Sequence, residues 1–363
     1  MDLKKLGWND FFEAQQREFN RDDLTVGRVT LQQKKIYRVM TEEGEFPAVI
    51  LGRLRHQAES LADFPVVGDW VLVGYKKDKS MAVIHHILPR KTKISRDTSG
   101  RKDKRIIADE QVIVANVDTV FLVAALNEEL NPRRIERYLT IIWDSSATPV
   151  LLLNKTDLCD DLDTALEQLE DVTVGVDVHL LNALEGDGIE ALFPYLVEGH
   201  TIALLGSSGV GKTTIINKIL GKDILKVAEI GEFKDKGRHT TTYRSLIVLP
   251  QGGVLVDNPG LRAIQLWDGE KGLKKSFQDI EKLAEHCRFS DCRHVNEPGC
   301  AVREALERGE ILPDRYESFT KLQKELEYRA RRENWATRQN TKKRWKSISK
   351  DRRHLRKRGK AEE

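Results

Sequence analysis

Gly206, Ser207, Ser208, Gly209, Val210, Gly211, Lys212 and Thr213 spell the pattern G-x-x-x-x-G-K-T. Such a spacing supports the grip of a phosphate chain. Glycines let successive backbone N–H groups turn inward around phosphate oxygens, and the N-terminus of a following helix adds its positive dipole end. In that arrangement Lys212 reaches the β- and γ-phosphates, the Thr213 hydroxyl ligates Mg²⁺, and Thr214 completes the first helical turn. The pattern has meaning only between a strand and a helix. Both are present: Thr201–Leu205 is an apolar strand-like run, and Thr214–Leu220 reads as a helix.

A second group discriminates the base. Asn154, Lys155, Thr156 and Asp157 follow the apolar run Pro149–Leu153. A carboxylate at a strand end accepts from the N1–H and the exocyclic amino group of guanine together. Adenine offers neither donor, so it leaves a buried polar group unpaired. Asn182 and Ala183, after the run Val178–Leu181, are placed to offer a backbone N–H to the guanine oxygen.

A third group senses the terminal phosphate. Asp257-Asn258-Pro259-Gly260 follows Val254–Val256 and fits D-x-x-G, in which the Asp holds Mg²⁺ through water and the Gly260 amide meets the γ-phosphate. Upstream lies Gly237-Arg238-His239-Thr240-Thr241-Thr242, a polar segment from which one threonine, with Thr241 and Thr242 favoured, would ligate Mg²⁺ and couple loop order to the γ-phosphate. Together the groups make a GTPase set, with Lys212 and Asp257 in its catalytic centre. Their order is unusual. The base motif at 154 precedes the phosphate loop at 206 and the D-x-x-G motif at 257, so the domain reads as circularly permuted. A sheet tolerates permutation when its termini lie close together.

Cys287, Cys292, His294 and Cys300 put three thiols and an imidazole within 14 residues. That donor set matches tetrahedral Zn²⁺ with every position filled by protein, a structural site rather than a catalytic one. Cys159 stands apart and reads as a core residue.

The elements that must carry these motifs fall into three stretches: residues 1–111, 112–266 and 267–363. Short strands are predicted at Leu24–Thr30, Lys35–Thr41, Phe46–Arg53, Asp69–Gly74 and Met81–Ile87, separated by turn clusters such as Glu42-Glu43-Gly44. Five short strands in this span suit a small β-barrel, an OB-fold first and an SH3-like barrel second. Arg90 to Gln111 is polar and basic and reads as a linker or mobile loop. From about Val112 strands at Thr119–Ala125, Pro149–Leu153, Val178–Leu181, Thr201–Leu205 and Val254–Val256 alternate with helices such as Arg133–Trp143, Asp163–Leu169 and Thr213–Leu220. This predicts a mostly parallel α/β sheet with ligands at the strands' carboxyl ends. Tyr243–Pro250 and Val254–Val256 read as an antiparallel hairpin on that sheet. Beyond Trp267 the chain turns helical.

Charge is unevenly spread. Lys321–Glu363 holds 17 Lys and Arg against 6 Asp and Glu, a net of +11 on a chain totalling +3, so the first 320 residues carry −8. An acidic body with a basic tail suits a polyanionic partner. Trp335 and Trp345 lie among the Arg and Lys of this run, where aromatic side chains can stack on RNA bases, and RNA is favoured over a membrane surface because no wide apolar face accompanies the charge. No apolar run approaches the roughly 18 residues that span a bilayer, and the charged N-terminus lacks the apolar core of a signal peptide. The chain therefore reads as cytoplasmic, and nothing in it demands more than a monomer.

Permuted GTPase motifs between a small β-barrel and a Cys-His segment resemble the RsgA (YjeQ/YloQ) family of circularly permuted GTPases. GSSGVGKTT at 206–214, GRHTTT at 237–242, CRFSDCRHVNEPGCAV at 287–302, VVGDWV at 66–71 and ANVD at 115–118 carry the resemblance. It implies an N-terminal OB-like barrel, a permuted P-loop GTPase domain and a C-terminal helical zinc-binding domain with its basic tail. It also implies GTP hydrolysis to GDP stimulated by the small ribosomal subunit, a role in that subunit's late maturation, and contact with ribosomal RNA. Leu261 stands where many GTPases place a water-positioning glutamine, and the resemblance points to His239 for that task. Two departures are visible: Asn182-Ala183 replaces a more usual Ser-Ala, and the tail past about Ala330 matches no motif. Two other function classes compete, a P-loop phosphotransferase acting on a small metabolite and a nucleotide-gated RNA-binding module with negligible turnover.

Overall fold

The computed structural model of the chain describes residues 1–19, 21, 23–33, 36–76, 80–97, 100–102, 105–107, 110–127, 130–221, 244–257, 270–328 and 330–331. A 3-10 turn at Leu3–Leu6 and helix α1 (Asp10–Phe19) open it. The barrel follows: β1 (Thr25–Gln33), β2 (Ile36–Thr41), β3 (Gly44–Ile50), a short α2 (Gly52–Gln57), β4 (Trp70–Tyr75) and β5 (Ala82–Ile87). The strands pair in the order β1-β2-β3-β5-β4, and β4 pairs again with β1, closing the barrel. The β3–β5 pairing is parallel and the others are antiparallel, which is the OB-fold arrangement rather than the SH3-like alternative. Alternate residues such as Tyr37 and Val39 fill the interior while their neighbours face out.

The stretch from 90 to 111, expected as a linker, carries secondary structure. Strand β6 (Lys93–Asp97) pairs antiparallel with β9 (Glu110–Ala115), and β7 (Gly100–Lys102) with β8 (Arg105–Ile107). Charged residues hide the alternation of β6, yet they tie it down: Lys93 Nζ and Ser95 Oγ both donate to Glu110 across the ladder.

The α/β part comprises β10 (Thr119–Ala125), α3 (Pro132–Asp144), β11 (Thr148–Asn154), α4 (Leu162–Glu167), β12 (Asp177–Leu181), β13 (Thr201–Leu205), α5 (Lys212–Leu220), β14 (Arg244–Val248) and β15 (Val254–Asp257). Its sheet order is β12-β11-β10-β13-β15-β14. All pairings are parallel except the β14–β15 hairpin. Every residue of β13 is buried, as a strand covered on both faces should be. One face packs under α3 and α4, the other under α5 and the 3-10 segment Ile189–Tyr195.

The two sheets are continuous. β1 leaves β4 after Arg28, shifts register between Val29 and Leu31, and then pairs through Leu31 and Gln32 with Ser245 and Arg244 of β14. An extra residue there re-aims the strand, the usual effect of a bulge. At the other end of the seam the fully buried Arg28 donates to Gly68 O, Leu6 O, Asn116 O and Thr201 Oγ1, tying barrel, N-terminus and α/β sheet to one guanidinium.

Helices α6 (Glu270–Ser276), α7 (Gln278–Ala284), α8 (Ala301–Glu307) and a helical segment at 313–328 form the C-terminal part. It docks on α3. Gly272 lies so near α3 that a Cβ there would sit 2.0 Å from Thr140 O, and Thr140 Oγ1 bonds Ser276 Oγ at 3.0 Å. Arg315, buried beside them, pairs with Glu136 of α3 at 2.6 Å and with Asp279 at 2.6 and 2.7 Å.

Candidate nucleotide site and metal cluster

Parallel strands bring their carboxyl ends to one edge of a sheet, and each sequence motif with described residues continues from such an end. The loop 206–211 follows β13 and leads into α5, whose N-cap Gly211 makes no side-chain cap. Gly211 takes φ +102°, and a Cβ on it would meet Asn154 Nδ2 at 2.1 Å, so this position requires glycine. Lys212 Nζ folds back over the loop and donates to Gly206 O at 2.8 Å and to Ser207 O.

Asn154, the last residue of β11, is buried and joins three loops. Its Nδ2 donates to Val210 O in the phosphate loop at 2.8 Å, and its Oδ1 accepts from the Ala183 N–H after β12 at 3.0 Å. Lys155 then takes a left-handed conformation (φ +66°), and Thr156–Leu158 form a 3-10 turn with Asp157 exposed. Asn182 is pinned through its backbone to Asp187, closing a tight turn that presents Ala183. The structure thus brings the phosphate loop, the Asn154–Asp157 segment and Asn182-Ala183 together. The third motif is placed only at its root: Asp257 ends β15, opposite Ser245. His239, Thr240, Thr241, Thr242, Gly260 and Leu261 lie outside the described residues, as does the basic tail beyond Arg331.

One contact at this edge had no signal in the sequence. Arg134, in the first turn of α3, extends Nη1 to within 3.4 Å of Ser207 Oγ in the phosphate loop.

Comparison with known proteins supplies the family. A sequence model described as RsgA GTPase matches residues 87–267. A small ribosomal subunit biogenesis GTPase RsgA from Opitutus terrae is 43% identical over 357 residues, 96% of each chain. A second protein of that name, from Listeria innocua, is 42% identical over 361 residues, 99% of this chain and 100% of the relative. The chain belongs to the RsgA GTPase family. Among solved structures, YjeQ from Thermotoga maritima superposes with a TM-score of 0.61 at 30% identity, covering 84% of this chain and 98% of that one. YloQ, described as a circularly permuted GTPase, shares the fold with a TM-score of 0.61 at 23% identity, over 85% of this chain and 97% of its own. The expected N-terminal barrel and YjeQ/YloQ-like GTPase fold therefore hold, and the protein is a GTPase of this family, whose chemistry uses Mg²⁺ with the nucleotide. Among the described residues no helix is long and apolar enough to cross a membrane.

The Cys-His segment gathers at the start of α8. One ligand atom from each of Cys287, Cys292, His294 and Cys300 lies within 4.8 Å of all the others. Cys287 Sγ is 3.6 Å from His294 Nδ1 and 3.9 Å from Cys300 Sγ, and His294 Nδ1 is 3.4 Å from Cys300 Sγ. A tetrahedron built on Zn–S bonds of about 2.3 Å has edges of about 3.8 Å, so the donor set fits that ion. Burial pushes the Cys300 thiol up to about 11, with the neighbouring thiols adding to the shift. A cation among the sulfurs reverses that preference. His294 takes φ +59°, and its carbonyl accepts from Tyr316 OH at 2.5 Å, which ties the cluster to the helical segment at 313–328.

Proposed function

We propose that this chain binds GTP across the ends of β11, β12 and β13 and hydrolyses it to GDP and phosphate on the small ribosomal subunit during late maturation. The observation carrying the nucleotide assignment is Asn154, which couples the phosphate loop to both base-facing segments. A site whose phosphate and base ends are held by one side chain is built for a whole nucleotide. The ribosomal assignment draws on the names of the relatives.

In this reading Gly206–Gly211 wrap the phosphates. Lys212 neutralises them, and Thr213 and one of Thr240–Thr242 face the Mg²⁺ that the family uses. Asp157 reads guanine, and the Ala183 N–H, now given to Asn154, is shared with the guanine oxygen. Asp257 and Gly260 sense the γ-phosphate, and His239 orients the attacking water. Cys287, Cys292, His294 and Cys300 hold one structural Zn²⁺ that braces the C-terminal helices. The barrel, the zinc segment and the basic tail contact ribosomal RNA, and the protein works as a cytoplasmic monomer. The test is GTP turnover by the purified chain alone, with small subunits and with large subunits. Stimulation by small subunits only is expected. Equal slow turnover in all three would remove the ribosomal assignment.

A further inference from the structure

Helix α3 carries three arginines with unequal surroundings. Arg133 Nη1 pairs with Glu136 at 3.3 Å, and Arg137 makes a two-pronged pair with Glu325 at 2.8 Å on each prong. Arg134 has no carboxylate partner among the described residues. Among the described residues its one side-chain hydrogen bond runs to Ser207 Oγ at 3.4 Å. The position of Arg134 is fixed from behind. Asn131 Oδ1 caps the helix by accepting the Arg134 N–H at 3.0 Å, Pro132 starts it, and Ile135 is buried in the core. Between this turn and the phosphate loop lies a cavity of about 30 Å³ bordered by Asn127, Leu130, Tyr138 and Val210, and Arg134 is the side chain that spans it. Ser207 is therefore held twice, at its carbonyl by Lys212 and at its hydroxyl by Arg134.

We propose that Arg134 is a positioning residue for nucleotide binding: through Ser207 it fixes the phosphate loop and lends that loop a second, unneutralised positive charge. The proposal rests on the assignment of GTP to this loop. An uncompensated cation beside a polyphosphate favours the more highly charged ligand, so Arg134 supports GTP more than GDP. Its benefit falls with ionic strength because the guanidinium is exposed. Arg133 and Arg137 serve as internal contrasts, since their charges are already matched.

The test uses the full chain and steady-state GTP hydrolysis at low and high salt, with Arg134→Gln, Arg134→Lys and Lys212→Ala. The bond is long and exposed, so we assign it the net worth of an ordinary hydrogen bond and expect about a three- to tenfold rise in KM for Arg134→Gln at low salt. We also expect kcat within about twofold, a near wild-type KM for Arg134→Lys, and a smaller gap at high salt. A purely structural role would move neither the salt dependence nor the difference between Lys and Gln. An unchanged KM in Arg134→Gln, or a lost kcat at constant KM, overturns the proposal. If Arg134→Gln behaves as wild type while Lys212→Ala loses GTP, only the role of Arg134 falls. If Lys212→Ala also binds GTP normally, the nucleotide assignment itself falls.

Discussion

Replacing Asn154 should damage GTP binding although its side chain is buried and faces the protein rather than the ligand. Asn154→Ala deletes two buried hydrogen bonds, to Val210 O at 2.8 Å and from Ala183 N–H at 3.0 Å. Each backbone group left without a partner costs about 1–3 kcal/mol, so the pair is worth about 2–5 kcal/mol after allowing for relaxation. At about 1.4 kcal/mol per decade that corresponds to about 30-fold in affinity at the low end and thousands-fold at the high end, if the whole loss falls on the bound state. Asn154→Asp separates the two ends. It keeps an oxygen for the Ala183 N–H but sets a carboxylate oxygen against Val210 O, turning attraction into repulsion at the phosphate loop. It should bind GTP no better than Asn154→Ala. Titration calorimetry with GTP and GDP, alongside melting without nucleotide, divides the loss between binding and fold. A dissociation constant for Asn154→Ala within threefold of wild type, with an unshifted melting point, would refute the idea that this side chain braces the site.

Asp157→Asn should lose GTP and gain xanthosine triphosphate, because an amide can donate to the xanthine oxygen where a carboxylate must accept; competition binding reads the switch, and retained GTP preference would count against Asp157 as the base reader. Arg315→Ala takes from the Glu136 carboxylate, 1% exposed, its nearest cation and leaves it Arg133 at 3.3 Å and the Ser318 hydroxyl, and should cost about 3 kcal/mol in denaturant unfolding. Burial holds the Glu136 carboxyl above its ordinary range, so its contribution to stability is full at low pH and declines as pH rises through the raised value. That decline should steepen in Arg315→Ala and vanish in Glu136→Gln, and a pH-independent difference between them would contradict the assignment. Cys292→Ser should reduce zinc, measured by atomic emission, and lower the melting point, because structural zinc contributes folding energy directly. Unaltered metal content would reject the cluster as the zinc site. Removing the chain after Ala330 should flatten the salt dependence of RNA binding, and an unchanged log–log slope would leave that segment without an electrostatic role.

Strands covered on both faces were legible because burial forces unbroken apolar runs. Thr119–Ala125 and Thr201–Leu205 have the bounds their sequence suggests, and the polar motifs that follow β11 and β13 mark the same sheet edge. Local turn chemistry likewise sufficed to separate the five barrel strands. What escaped detection depends on distant partners. β6 is a strand because Glu110 receives its Lys93 and Ser95, and no alternation announces it. Arg28, a charge inside a strand, reads as solvent-facing until four acceptors from residues 6, 68, 116 and 201 surround it. α1 also depends on a distant partner: its Phe12, and Trp8 just before the helix, pack against the Trp70 ring at 5.7 and 4.9 Å.

The permuted order has a mechanical consequence that motif spacing alone does not disclose. A sheet needs only its neighbours, so β12-β11-β10-β13-β15-β14 forms whichever connection is cut. In an isolated α/β domain β14 would be an edge, with a row of unpaired backbone groups inviting adventitious pairing. Here β1 supplies that partner, and the bulge beyond Val29 lets one strand serve the barrel and the α/β sheet in turn. The contact falls at Gln32 opposite Arg244, two residues after Thr242 in the chain. A load on the barrel therefore reaches the root of the Gly237–Thr242 segment through two backbone-paired strands, without crossing a flexible linker. On the opposite side, α3 presents Arg134 to the phosphate loop and Glu136 to the C-terminal helices. Both flanking parts of the chain are thus in direct hydrogen-bonded contact with elements that border the proposed nucleotide site, the physical requirement for a GTPase whose turnover answers to what those parts hold.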